Sequence, residues 1–437
     1  MSQMRDIFFD EFYEELERTA GNLTSEDIRI EPPDRVIEAL RGRWHEYEPA
    51  ERPSSFILVA VDGGVQRAEF SYGWTVSIGR ACALIYSPEQ KGGHSIRKNV
   101  KIHFGRVFDD RDKGYIPSYV RLIAEYRAAG DAANEVLESG GMPLVLMDGS
   151  LYISRFPYAE REYLSHPDLL AELFESIAAL HLLGRDRGFP IVALAKDTSV
   201  FYLYMTLLRE IVAVSGIDGH LVSLVDKSPS SISLREKMGR LEDEKRKVLE
   251  SLLGGVRTPS DLELVETSAE DSGFSHPLLL APSIYYRSGD TVSSLNRRVK
   301  ELLPKKLAER VVAALDGFFS RPPVALTYWQ PRRGGRSFRV DLSGSSLGYS
   351  SSMKEIRRNT FVAEDCDLHV LREVVDHLGF CFCNDLEYNI PLHQADRLAR
   401  FDRQLYASRY EPFLVKRMEE RGVLLRSRVR DLREVIH

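Results

Sequence analysis

Short apolar runs, rather than long periodic ones, set the pattern of the first half of the chain. Residues 56–61, Phe-Ile-Leu-Val-Ala-Val, are continuous, rich in β-branched side chains and not alternating, which predicts a strand buried on both faces. The run stops at Asp62-Gly63-Gly64. That places a carboxylate at the lip of a buried strand, followed by a tight turn or a close backbone approach. The arrangement returns at residues 143–151, where Pro-Leu-Val-Leu-Met runs into Asp148-Gly149. A third short run, Ile191–Ala195, ends in Lys196-Asp197-Thr198. A single Asp-Gly pair is a common hairpin dipeptide. Two buried strands that each deliver an aspartate at the same end make a constellation.

The intervening segments supply the rest of an α/β fold. Ala68, Phe70 and Tyr72, then Trp74, Val76 and Ile78, then residues 83–86, predict two or more strands joined by tight turns. Alternation over residues 100–108 adds another strand. The period becomes helical from Ile116 to Leu137 and again from Leu169 to Leu182. Strand meander, helix, strand, helix, strand is the order of a mixed sheet with helices on its faces. Ahead of it, residues 5–20 (Ile7, Phe8, Phe12, Leu16) form an amphipathic pattern. Ser25-Glu26-Asp27 and Pro32-Pro33 then precede a second helix through Val36, Ile37 and Leu40.

Residues 200–320 read as mostly helical, and the charge-dense stretch Leu234–Leu253 as a solvated helix laced with ion pairs. Strands are expected at Val324–Trp329 and Ser337–Leu342. The turn between them carries Arg332, Arg333 and Arg336 beside glycines, placed either to track phosphates or simply to be solvated. The last 80 residues read as helices, one of them starting at Pro391. Four regions follow: an N-terminal helical region (1–50), the first part of the core (51–200), a helical insertion (201–320), and C-terminal strands and helices completing the core (321–437).

Composition narrows the function classes. A hydrophobic fraction of 43% and a charged fraction of 28% over 437 residues describe an ordinary globular chain of one large or two medium domains. No apolar run approaches the roughly 20 residues that span a bilayer, so no membrane partner is expected. The N-terminus lacks a signal-peptide layout. Cys82, Cys366, Cys381 and Cys383 give neither a CxxC pair nor a disulfide framework, which points to a reducing cytoplasm and no zinc site. A net charge of −6 argues against coating nucleic acid over the whole surface but permits a local basic channel. Walker A, GxGxxG and HExxH motifs are absent.

The chemistry that remains is that of carboxylates. Glu125 lies in the first predicted long helix, one turn from Arg121 and Leu122 and one turn before Ala128 and Ala129, at the border of the buried stripe. A glutamate there needs a partner, with Arg121 or Arg127 the plain choice and a shared cation the other. Asp62, Glu125 and Asp148 gathered together repel one another unless a cation joins them, and hard oxygen ligands select Mg²⁺ or Mn²⁺. Two such ions can activate a water and stabilise the leaving oxygen in phosphodiester hydrolysis.

These residues also carry a resemblance. Residues 59–64 (Val-Ala-Val-Asp-Gly-Gly), Arg121-x-x-x-Glu125, 146–151 (Leu-Met-Asp-Gly-Ser-Leu), 195–198 (Ala-Lys-Asp-Thr), 338–341 (Phe-Arg-Val-Asp) and the Pro-Leu-x-x-Ala-Asp of 391–396 run in the order of the NurA nuclease family, which the chain resembles. The resemblance implies an RNase H-like mixed β-sheet flanked by helices, with a helical insertion and C-terminal helices. It implies that Asp62, Glu125 and Asp148 are ligands of a two-metal Mn²⁺ or Mg²⁺ site. The family often has a histidine at the end of the C-terminal motif. Here Asp396 stands there with His393 one turn earlier, leaving open which is the fourth ligand.

Lys196 would sit near substrate phosphates, with Arg121 and the arginines of the 332–336 turn as further substrate contacts. The implied function is DNA end processing in double-strand break repair, as a 5′–3′ exonuclease, a single-strand endonuclease or both. The implied partners are DNA, a second copy of the chain and a HerA-type hexameric ATPase. The Phe8/Phe9/Phe12 helix and the helical middle are plausible docking or dimer surfaces. Two other classes stand beside this one: a non-catalytic RNase H-like scaffold for a partner motor, and an actin- or sugar-kinase-like ATPase. The latter needs a glycine-rich adenosine site that residues 200–320 do not offer.

Overall fold

The structure, a computed structural model, describes residues 8–21, 31–51, 56–86, 95–106, 110–153, 156–157, 160–215, 219–228, 230–254, 257–287, 291–423 and 425. Ile7 and Ser25-Glu26-Asp27 lie outside the described residues. The chain forms two compact units, one of residues 1–42 with 199–269, the other of residues 43–198 with 270–437.

The smaller unit is helical. It holds the amphipathic Phe9–Ala20 helix, whose described residues include no buried one, and the Asp34–Arg41 helix, which buries Val36 and Leu40. Asp261 is fully buried here and accepts the backbone N–H groups of Leu203 and Tyr204 at 3.0 and 2.8 Å. It thereby satisfies open donors at the start of the Tyr202–Val214 helix. The charge-dense stretch expected as one helix is two, Ser231–Met238 and Asp243–Leu253, separated at Gly239, which follows the first.

The larger unit carries eleven strands: β1 (Trp44–Glu46), β2 (Ile57–Glu69), β3 (Trp74–Tyr86), β4 (Ser95–Arg106), β5 (Pro143–Asp148), β6 (Ile191–Ala195), β7 (Gly273–Ser275), β8 (Leu278–Leu280), β9 (Val324–Gln330), β10 (Phe338–Ser343) and β11 (Thr360–Phe361). The main order is β1-β7-β9-β10-β6-β5-β2-β3-β4, with β8 pairing β9 and β11 pairing β8. Within it, β2, β5 and β6 are parallel, and β3 is antiparallel to both β2 and β4. This is the α/β mixed sheet with helices on its faces that the order of elements predicts.

One expectation is overturned. β2 does not turn at Asp62-Gly63-Gly64 but runs straight on to Glu69, with Gly63 opposite Ala81 and Gly64 opposite Arg80. The reason is β3, which pairs β2 without a break from Leu58↔Tyr86 to Glu69↔Thr75. The chain reverses later, around Tyr72, which takes a positive φ of 66°. The two or more strands expected over residues 68–86 are the end of β2 and the whole of β3, joined at that turn.

One face of the sheet presents Leu58, Ala60, Leu144, Leu146, Val192 and Leu194 to a core completed by Leu371, Val374 and Leu378 of the His369–Cys381 helix and by Leu392. The Asp110–Glu138 helix packs on β2, β3 and β4, and the Pro167–Arg187 helix packs on it in turn. Each such aliphatic side chain, fully buried, contributes about 1.5–3 kcal/mol. Among the described residues no helix is long and apolar enough to cross a membrane.

Candidate active site

The parallel pairing of β2 with β5 ends at Val61↔Met147. Beyond that point one edge of β2 is open, and Asp62 and Asp148 stand side by side at the fork. Asp148 is the last residue of β5, and Gly149 after it takes a φ of +106°, a conformation that glycine tolerates best. The open edge lets two helices on opposite faces approach. A Cβ at Gly63 would stand 2.5 Å from Oε1 of Glu125, and one at Gly64 would stand 2.5 Å from the carbonyl oxygen of Ala399. The two glycines therefore mark a close approach, not a turn. They seat the glutamate of the Asp110–Glu138 helix and the C-terminal end of the Ile390–Ala399 helix, which bears Asp396.

The electrostatics are those of crowded carboxylates. Asp62 is 4% exposed, and burial first, then the charges of Asp148, Glu125 and Asp396, push its pKa to about 7 against the opposing hydrogen bond from the Gly63 N–H at 2.6 Å. Glu125 is 2% exposed. Burial outweighs Arg121, whose guanidinium lies 3.1 Å from Oε1, and Asp148 adds to the rise, so its pKa also reaches about 7. Oε1 of Glu125 is buried and accepts no hydrogen bond among the described residues. An acceptor in that condition is costly unless something else satisfies it.

Asp148 is held by a residue that the sequence reading missed. The hydroxyl of Tyr388 donates to Oδ1 of Asp148 at 2.9 Å and accepts from Nζ of Lys196 at 2.8 Å, and that ammonium also lies 4.3 Å from the Tyr388 ring centre. Lys196 itself is 3.9 Å from Oδ2 of Asp148. Burial and the charge of Asp148 raise the Tyr388 pKa far above its ordinary value, so the phenol stays protonated as a donor. Its only sequence signal was an aromatic residue just ahead of the cap Asn389, which is too common to single out.

Asp341 and Arg339 were noticed as a motif but assigned no role. Asp341 is fully buried and accepts Nε and NH2 of Arg339 at 2.7 and 3.0 Å, the hydroxyl of Ser150 at 2.6 Å and the N–H of Leu151 at 3.0 Å. It fixes the turn that follows Asp148. Charged residues inside an apolar strand were the available signal.

Asp396 is half-buried and pairs with Arg400 at 2.5 Å. Arg80 of β3 donates to the carbonyls of Ala399 (2.6 Å) and Arg400, anchoring that helix end to the sheet. His393 is exposed and makes no side-chain hydrogen bond or ion pair among the described residues. The charge of Asp396, by contrast, bears on both Asp62 and Tyr388. Arg121 and Lys196 thus stand among the carboxylates. Arg332, Arg333 and Arg336 are exposed on the β9–β10 hairpin, where Arg333 and Arg336 have long ion pairs to Asp271 (3.8 Å) and Asp197 (3.6 Å). Arg332 donates to the Cys383 carbonyl at 3.0 Å.

Among the described residues no three His, Cys, Asp or Glu side chains stand in an arrangement that could hold a metal ion as placed. The donor chemistry does suit one: four carboxylates, two of them raised to about 7 by burial first and by their neighbours' charge second, and a buried Glu125 oxygen that has the Arg121 ion pair but accepts no hydrogen bond among the described residues. Closing on an ion requires rotation of side chains that now face protein partners, Asp148 toward Tyr388 and Asp396 toward Arg400.

A mixed sheet with an acidic cluster at the fork of two parallel strands defines an α/β protein. A family model described as the NurA domain matches residues 56–342, and the chain belongs to that family, a family of nucleases. Two solved structures are similar. One, a crystal structure of NurA bound to dAMP and manganese, is 12% identical over 93% of this chain and 96% of that one, with a TM-score of 0.40. The other, a crystal structure of NurA, is 12% identical over 90% and 93%, with a TM-score of 0.35. No curated protein matches.

Proposed function

We propose that the chain is a divalent-metal-dependent deoxyribonuclease of DNA end processing. The observation that carries the reading is the meeting of Asp62, Glu125 and Asp148 at one fork, with Glu125 Oε1 buried and accepting no hydrogen bond. Asp62, Glu125, Asp148 and Asp396 would hold Mn²⁺ or Mg²⁺. Ions bound there supply charge to an attacking water and to the leaving oxygen of a phosphodiester. The chain's own groups do the rest. Tyr388 keeps a proton directed at Asp148, Lys196 and Arg121 offer positive charge to a phosphate, and the buried walls limit water. Cleavage as a 5′–3′ exonuclease, a single-strand endonuclease or both belongs to the same proposal. So do assembly as a homodimer, work with a HerA-type hexameric ATPase, and a role in double-strand break repair.

A second reading has its own observation. Asp396 is tied to Arg400, which suits a scaffold that has lost catalysis. Incubating the purified chain with linear DNA and Mn²⁺ separates the two. Degradation that disappears in Asp62→Ala and Glu125→Ala supports the nuclease, whereas intact DNA with the wild-type chain supports the scaffold.

A further inference from the structure

At the far edge of the sheet from β4, a cleft of about 520 Å³ is lined by Trp44, His45, Glu46, Tyr47, Phe274 and Arg372. The volume lies in the range of small-molecule sites. Three partly exposed rings, Trp44, His45 and Tyr47, line it beside the fully buried Phe274, and Arg372 adds an exposed positive charge. The guanidinium of Arg372 makes no ion pair or hydrogen bond among the described residues, although Asp376 lies one helical turn further along. Asp376 is engaged elsewhere: its Oδ1 accepts the Tyr47 hydroxyl at 2.8 Å and the Ala50 N–H at 2.7 Å. Flat π-surfaces beside an unpaired guanidinium suit a nucleobase and its phosphate, and Glu46 adds an acceptor for an exocyclic amine.

Strand register places this cleft on the catalytic side. β1 pairs antiparallel with β7, β7 with β9, β9 with β10 and β10 with β6, so β1 runs in the same direction as β6, β5 and β2. His45 pairs Phe274, Phe274 pairs Trp329 and Trp329 pairs Phe338. On β10 the next residue, Arg339, pairs Ala195, immediately before Lys196. The cleft therefore opens at the end of the sheet that bears Lys196 and Asp148. The β9–β10 hairpin with Arg332, Arg333 and Arg336 lies between them. β1 is five strands from β5, about 24 Å along the sheet at ~4.8 Å per strand.

We infer that this cleft is a remote nucleotide subsite, which holds a base of the substrate strand while another part of that strand is cut at Asp62 and Asp148. The inference rests on the nuclease reading and adds a length requirement to it. A strand must span about 24 Å to occupy both places, which is about seven nucleotides at the stacked rise of ~3.4 Å each and fewer in an extended single strand.

The test compares kcat/KM for single-stranded oligo-dA of three and of twenty nucleotides, in Mn²⁺, with the wild-type chain, Arg372→Ala and Trp44→Ala. Arg372 is exposed, so its loss leaves the fold intact, and Trp44→Ala removes a ring of the same cleft. Each variant is expected to lose about tenfold on the twenty-nucleotide strand, through KM, and to cut the three-nucleotide strand as the wild type does. Tenfold corresponds to about 1.4 kcal/mol, within the range for one base stacked on an aromatic ring. Unchanged cutting of both lengths by Arg372→Ala, or equal loss on both, overturns the subsite and leaves the nuclease standing. A wild-type chain that cuts neither length overturns the nuclease reading and the subsite with it.

Discussion

Gly63 and Glu125 fit together because one lacks a Cβ: such an atom would lie 2.5 Å from Oε1 and 2.7 Å from Cγ of the glutamate. The carboxylate occupies the space that a side chain on β2 would fill. Gly63→Ala is expected to displace Glu125 and to cost about 1–3 kcal/mol by overpacking. A displacement of about 1 Å at the reacting centre is worth about 10²-fold in rate. Urea unfolding and single-turnover cleavage check the two effects. A variant with normal stability and rate would show that Glu125 does not depend on this contact.

Tyr388→Phe removes the donor to Asp148 and the acceptor of Lys196 while keeping the ring against Phe338. Outer partners of metal ligands are worth about 10–100-fold in metal affinity or activity. We expect a loss of that size in Mn²⁺-dependent cleavage, with little change in melting temperature. A rate equal to wild type would remove Tyr388 from the site.

The raised carboxyls make stability and metal affinity depend on pH. Asp62 and Glu125 titrate near 7 in the folded chain, and ordinary carboxyls titrate near 4. The folded state therefore binds more protons across that window. The neutral carboxyls are accommodated at low pH, and metal-free stability falls as pH rises from about 4 through about 7. Mn²⁺ binds the ionised forms and releases protons. The Mn²⁺-induced gain in melting temperature is expected to be large at pH 8 and small at pH 5. A gain independent of pH would contradict the assignment.

Asp341→Ala removes the carboxylate partner of the buried Arg339 guanidinium. Breaking one side of such a pair costs about 3–5 kcal/mol. Urea titration of Asp341→Ala, and of the Arg339→Met/Asp341→Leu double variant, is expected to show a large loss in the first and a smaller one in the second. Equal losses would mean that the pair itself, not the charge left behind, sets the cost.

The sheet was legible where apolar runs are short and β-branched. β5 and β6 lie where the runs at residues 143–147 and 191–195 placed them, and Asp148 ends its strand as its Asp-Gly predicted. Asp62 was read as a strand end because glycine looks like punctuation. In the fold β3 supplies a full-length partner, and the glycines give room to Glu125 and Ala399. β1, β7, β8 and β11 are two or three residues long, too short for any period to show. Tyr388 could not be found locally: it lies 240 residues from Asp148 in the chain, and only the fold brings them together.

The most direct test of the central claim is Mn²⁺ binding at pH 8, followed by loss of the free-ion electron paramagnetic resonance signal. The wild-type chain is predicted to bind Mn²⁺, with binding weakened at least tenfold in both Asp62→Asn and Glu125→Gln. Wild-type protein that leaves the signal untouched, or variants that bind as wild type does, would contradict a metal centre at this fork.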